Sequence, residues 1–284
     1  MNWQAIIFNG LIFLSIALFS FSAFAQNETE AKNDIQKIEY DVYAGGVHAL
    51  EVNLTNDFTA KDKYNVNMNA KTYGLLSKLA PWRGQFSTTG WKGDVYKPQE
   101  HKSVTTFKDE TDSKTYSYNK DGSFKNFVLI ENGKDKKAKP SKELTQGTTD
   151  ILTSTLNTMR VMGLEGKGCN GESEIFDGKR RFKLSFNQVR ETILSKSGYN
   201  AYQGPAIECT ALVTPVAGKW HEKPRGWASI QEQGRAKGSL PTVWFAVIEE
   251  GQPAVPVKMR VKTDYGTLFM HLTKYNSAAK SLKL

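Results

Sequence analysis

From residue 36 onward, apolar and polar side chains alternate with period two in one short stretch after another, the pattern of half-buried β-strands. Ile38, Tyr40 and Val42 share a face. Ala44-Gly45-Gly46 then reads as a tight turn into His48, Leu50, Val52 and Leu54. Tyr64, Val66, Met68 and Ala70 alternate with Asn65, Asn67 and Asn69, a strand with one wet face. The same reading predicts strands at 85–92, 102–107, 114–119 and 124–131, punctuated by Asn119-Lys120-Asp121-Gly122 and Glu131-Asn132-Gly133. Later strands are predicted at 173–176 and 181–186 around Phe176-Asp177-Gly178-Lys179, then at 191–195, 207–213, 243–249, 257–263 and 267–275. Pro256 fits only a strand start. Neighbours this close in sequence pair antiparallel.

One stretch breaks the rule. Ile151, Leu152, Leu156, Met159 and Met162 recur at helical spacing, predicting one amphipathic helix within 148–164 that covers or plugs the sheet. Thr148 or Thr149 is its expected cap, Asp150 lies in its first turn where the helix dipole favours an anion, and Gly163 is its expected end. Two segments read as connectors: the lysine-rich 133–142, and 219–238, which holds Trp220, His221, Trp227 and Arg235 among Pro and Gly and is expected to be irregular. The expected organisation is a single β-rich domain over 36–276, preceded by a flexible segment at 26–35 and followed by a C-terminal tail at 277–284.

Residues 6–25 are uncharged and mostly apolar, and end at Ala23-Phe24-Ala25 before Gln26-Asn27-Glu28, which predicts a cleaved signal peptide over 1–25. The competing view of this run is an uncleaved anchor, since a spanning helix needs about 20 residues. With no cysteine at the junction, a lipoprotein is not expected, and no second long apolar run follows. The expected address is therefore the periplasm. In that oxidising space Cys169 and Cys209, the two cysteines of the chain, are predicted to form a disulfide. Closing a loop of about forty residues contributes roughly 4 kcal/mol in the chain-entropy account. Cys209 is expected to point inward from a strand, and Cys169 to sit in a turn.

Motifs of chemistry are scarce. His48, His101, His221 and His271 lack zinc spacing, and there is no Gly-x-Ser-x-Gly elbow. No catalytic residue, metal ligand or cofactor is predicted. Two stretches suit binding. One is the apolar 75–82, where Trp82 could line a cavity mouth or seal the sheet. The other is 220–227, where Trp220, Arg225 and Trp227 offer ring faces beside cations. The net charge of +9 points to anionic lipid, lipopolysaccharide or acidic wall polymers before nucleic acid, or simply to solubility.

The sequence resembles a family of proteobacterial envelope proteins catalogued as domain of unknown function 3108. The resemblance rests on Tyr40-Asp41-Val42-Tyr43-Ala44-Gly45-Gly46-Val47, the helix around 150–162, and Cys169 ahead of Phe176-Asp177-Gly178-Lys179-Arg180-Arg181, with Cys209 and the Pro256 strand following. It covers residues 36 to 275. It implies a mainly β fold, a strongly curved antiparallel sheet (half-barrel or β-spiral) wrapping one amphipathic helix, and a structural pair between Asp177 and Arg180. It transfers no catalytic residue. The expected function is a non-enzymatic periplasmic role in envelope maintenance, through a lipid-like ligand, a wall component or an envelope protein partner. The rivals are a wall glycan or peptide hydrolase recruiting His221 or Glu222, and a purely structural interaction protein.

Overall fold

In the computed structural model the described residues are 34–220, 227–263 and 266–284, with the side chains of 227–230 outside the description. The apolar run at 6–25, the segment 26–33, and His221, Glu222 and Arg225 lie outside the described residues. The first half of the chain is an antiparallel meander: β1 (Ile35–Ala44), β2 (Val47–Asp57), β3 (Lys63–Thr72), a short helix α1 (Leu76–Leu79), β4 (Trp82–Trp91), β5 (Lys97–Phe107), β6 (Glu110–Tyr118), β7 (Phe124–Glu131) and the stub β8 (Lys134–Asp135). A connector bearing α2 (Lys142–Thr145) leads to the main helix α3 (Ile151–Leu164). A second meander follows: β9 (Gly171–Phe176), β10 (Arg180–Leu194), β11 (Gly204–Gly218), helix α4 (Trp227–Ala236), β12 (Thr242–Ala246), β13 (Val255–Thr263), β14 (Gly266–Asn276) and β15 (Ser281–Lys283).

The two meanders form one 15-stranded antiparallel sheet because β1 pairs with β2 on one side and β14 on the other, with Tyr40 opposite both Val52 and Leu272. The sheet does not close. Its far margins, β6–β7 and β9, meet instead through side chains: Tyr116, Tyr118, Phe127 and Leu129 pack with Phe176 in one buried cluster. The Phe176 ring lies edge-on to Tyr116, Phe124 and Phe127 at 5.5–5.7 Å between centroids. Lys114 Nζ donates to the Asp177 carbonyl across the same seam at 2.9 Å, and burial, outweighing Asp177, pulls its ammonium below the usual lysine range.

Inside the curl lies α3. Leu152 and Leu156 pack with Phe58, Tyr64, Val66 and Tyr96 of the first meander, while Met159 and Met162 pack with Ile175, Leu184, Phe186, Val243 and Phe245 of the second. Helical spacing thus serves two sheet faces at once. Asn157 holds the backbone of Tyr96 in both directions, accepting from its N–H at 2.8 Å and donating to its carbonyl at 2.9 Å. Cys169 and Cys209 are bonded, 40 residues apart in sequence and 6.5 Å apart at Cα, inside the cluster that receives Met159. The curved sheet, the inner helix and the disulfide are as expected.

Several boundaries differ, each for a local reason. The helix is capped by Asp150 rather than Thr148 or Thr149. Its carboxylate accepts from the N–H of Leu152 and Thr153, both at 3.0 Å, where a hydroxyl would satisfy one. Gly163 does not end the helix. It lies inside, where a Cβ would come within 2.0 Å of the Gln252 carbonyl, and the left-handed residue beyond the end is Gly166, at φ +62°. The strands expected at 181–186 and 191–195 are one strand, β10, with a register shift between Gln188 and Arg190 that interrupts the alternation. The stretch 219–238, expected to be irregular, contains α4. From this helix the buried Gln231 accepts from the Val213 N–H at 2.6 Å and donates to its carbonyl at 2.9 Å, where β11 outruns β12. Residues 277–284, expected as a tail, return as β15 alongside β14.

Candidate functional site

Two constellations could carry function, one inside the curl and one outside. The inner one surrounds the helix cap. The Thr88 hydroxyl donates to Asp150 Oδ1 at 2.9 Å and lies 2.7 Å from His101 Nδ1, which is itself 3.2 Å from Asp150 Oδ1. Thr153 Oγ1 donates to Asp150 Oδ2 at 2.5 Å and lies 2.6 Å from the Tyr64 hydroxyl. Strands β3, β4 and β5 each present one member at the helix end. Burial works to raise the Asp150 carboxyl. The hydrogen bond and charge of the His101 ring, with the Thr153 hydroxyl and amide, prevail and hold it below the usual carboxylate range. Burial and the neighbouring Asp150 push the Tyr64 and Tyr118 phenols far above theirs.

A His–carboxylate pair at this distance resembles general acid–base machinery, but geometry assigns it a structural role. Thr88 and Thr153 are wholly inaccessible, and Tyr64, Asp150 and His101 are buried. The cluster fastens the helix N-terminus to three strands by charge-assisted hydrogen bonds in a dry setting.

The outer constellation is a cleft of about 520 Å³ at the end of the sheet where β13 and β14 part. Their pairing stops at Lys258 opposite His271, after which β13 follows β12 and β14 follows β1. The loop 195–203 fills the gap: Asn200 Nδ2 donates to the Val257 carbonyl at 2.8 Å, and the Ala201 N–H to the Leu272 carbonyl at 2.7 Å. β15 builds the opposite wall, with Leu282 beside Tyr275. The lining joins Tyr202, Val247, Ile248, Leu282 and Leu284 to Lys196, Lys280 and Lys283, and includes no acidic residue. None of these three lysines has an ion-pair partner among the described residues. An apolar floor with a cationic rim suits a molecule that is apolar along its length and anionic at one end.

The residues singled out in the sequence fall elsewhere. Trp82 lines a smaller cavity of about 200 Å³ with Lys71, Arg83, Thr106 and Lys108. Trp220 is tied to the body: its indole N–H donates to the Ala217 carbonyl at 3.0 Å, and the Arg180 guanidinium lies 4.7 Å from its ring centre. Trp227 begins α4, with its side chain outside the described part, as is all of Arg225. The Asp177–Arg180 pair forms as the resemblance implied, at 2.7 and 2.9 Å. His48 and His271, far apart in sequence, both flank Tyr43 on the outer face, His48 stacked between Tyr43 and Tyr73 at 5.0 and 4.0 Å. Burial, then Lys258, pushes the His271 imidazole down to about 4. Among the described residues there is no group of three or more His, Cys, Asp or Glu placed to hold a metal ion, and no helix long and apolar enough to cross a membrane.

The three cleft lysines had no signal in the sequence, because they come from the connector after β10 and the presumed tail. The inner cluster was equally hidden, its members being ordinary strand residues such as Thr88 and Tyr64, 62 and 89 positions from the helix-end partners they meet.

Comparison with known proteins adds the following. The model of a family described as "Protein of unknown function (DUF3108)" matches residues 39–273. No curated protein matches the chain. Among solved structures, it is similar to a beta-barrel-like protein of domain of unknown function DUF1849 from Brucella abortus, at 11% identity and a TM-score of 0.47, covering 87% of this chain and 98% of that one.

Proposed function

The chain belongs to the DUF3108 family, and from that premise we propose that it is an exported, non-enzymatic envelope protein that holds a lipid-like anion in the cleft beside β15. The observation that carries the reading is the cleft: apolar side chains, three lysines without ion-pair partners among the described residues, and no Asp or Glu side chain in the lining. Export is supported by the uncharged run at 6–25 and by the Cys169–Cys209 bond, which is at home in an oxidising compartment. A non-enzymatic role is supported by the burial of the His101–Asp150 pair, which withdraws from solvent the acid–base geometry a wall hydrolase would use.

The test is thermal unfolding and native mass spectrometry with palmitate as the probe. Bound one to one at a hundredfold excess over Kd, palmitate raises stability by about 2.7 kcal/mol. The triple variant Lys196→Gln, Lys280→Gln, Lys283→Gln keeps the fold and loses that shift. Equal shifts in both proteins, or none in either, overturn the cleft reading. Thiol alkylation of fractionated cells checks the address: two free thiols, or recovery from the cytosol, overturn export.

A further inference from the structure

At the opposite end of the sheet, the connection from β3 to β4 and the turn from β5 to β6 form one rigid tip. The Lys108 N–H donates to the Pro81 carbonyl at 2.9 Å, and Trp82 pairs with Phe107 across the strands. The Thr72 hydroxyl binds the loop base, accepting from the Trp82 N–H at 3.0 Å and lying 3.3 Å from the Ala80 carbonyl. Although so held, the tip hides none of α1: no residue of that helix is buried. Leu75 is 68% exposed, Leu79 66% and Phe107 47%. Around these stand Lys78, Arg83 and Lys108, none with an ion-pair partner among the described residues, Lys71, whose charge Glu51 offsets at 2.9 Å, and the exposed Asp109 and Glu110 of the β5–β6 turn. Beneath them lies the cavity of Trp82, lined by Lys71, Arg83 and Lys108.

The geometry points to this tip as a docking surface for an anionic lipid bilayer. Apolar side chains projecting from a rigid turn enter the acyl boundary, an indole sits at headgroup depth, and flanking cations meet phosphate. Charge complementarity favours the partner: the unpaired Lys78, Arg83 and Lys108 outnumber the turn's Asp109 and Glu110, and this excess of cations surrounds two leucines and a phenylalanine. The inference stands apart from the cleft, which lies at the other ends of the strands. In the register, Ala44 adjoins Val47 and Leu50 adjoins Thr72 at the tip end, while Ile38 adjoins Tyr275 at the cleft end. Strands of 10 residues place the two about 30 Å apart. A protein docked by its tip thus presents its cleft away from the membrane.

Cosedimentation with vesicles of phosphatidylcholine containing phosphatidylglycerol tests this, using the disulfide-bonded protein. Binding is expected to the anionic vesicles, to be weak to pure phosphatidylcholine, and to fall with added salt. The variant Lys78→Gln, Arg83→Gln, Lys108→Gln is expected to bind about a hundredfold more weakly, from roughly fivefold per cation. Leu75→Ser with Leu79→Ser removes the apolar contact and should weaken binding with unchanged unfolding temperature, since both side chains are exposed. The cleft variant Lys196→Gln, Lys280→Gln, Lys283→Gln should bind vesicles as the wild type does. Wild-type binding unaffected by either tip variant, or absent from anionic vesicles, overturns the inference. Loss only in the cleft variant overturns it too and leaves the cleft reading standing.

Discussion

The cluster at Asp150 and the cleft beside β15 are both assemblies of ionisable side chains, yet their surroundings give them opposite uses. At Asp150 the carboxylate's contacts are hydrogen bonds to its neighbours, and the groups are buried. At the cleft three ammonium groups stand beside leucine and isoleucine without an Asp or Glu side chain among the lining residues. A buried, satisfied polar cluster specifies one arrangement of a core, and losing a member is costly. An exposed cluster of one sign destabilises the fold slightly and is free to be neutralised by a ligand. The proposed function accordingly rests on the unpaired charges of the cleft rather than on the buried His101–Asp150 pair.

The contrast can be broken first at Asp150. Asp150→Ala removes a helix cap and strands the His101, Thr88 and Thr153 groups in the dry, so urea unfolding should show a loss of about 4–5 kcal/mol. A loss below 1 kcal/mol would mean that water reaches the cluster. Because its carboxyl is held below the ordinary value, the stability it contributes is complete above about pH 4 and is lost as the pH falls further. Next, replacing Cys169 and Cys209 together by Ala should cost about 4 kcal/mol through the forty-residue loop they close.

At the seam that shuts the interior, Phe176→Ala should cost about 3 kcal/mol and raise hydrogen exchange in β9 before β1. His271 supplies a subtler handle. Its imidazole is neutral in the fold down to about 4, so the stability this contributes is present above about pH 6.5 and is lost between there and pH 4. His271→Phe should flatten the stability profile in that window, and an unchanged slope would assign the titration elsewhere. Smallest of all, the triple lysine variant of the cleft should move stability by no more than about 0.5 kcal/mol while abolishing palmitate binding. A large loss of stability there would make the cleft part of the core and erase the contrast.

Much of the architecture was legible in the sequence. Period-two alternation located most strands of both meanders, though not β8 or β15; the spacing from Ile151 to Met162 located the inner helix, and the two cysteines located the bond. Phe124–Glu131 matches its predicted span, for the turns on either side are written in Asn, Asp and Gly. Elsewhere local rules were overridden. A bulge in β10 hides one strand as two, and α4 is anchored by Gln231 to a strand about eighteen residues away, which no window of sequence can show. The residues of the proposed sites were the least legible. Trp82 was marked by its neighbours and does line a cavity, but Lys196, Lys280 and Lys283 are unremarkable lysines in connectors.

What the chain determined by itself was the kind of structure: alternation forces half-buried strands, short connections force antiparallel neighbours, and one helical interval must find a place on the concave side. Tertiary structure alone decided how the ends of the sheet meet. The sheet does not close; Phe176 bridges the gap, and β1 joins β14 in the middle. It also decided where charges go unanswered, since that depends on which side chains meet across tens or hundreds of residues. Pairing energies between such distant groups are set by burial and distance in space, quantities that a linear order of residues does not contain.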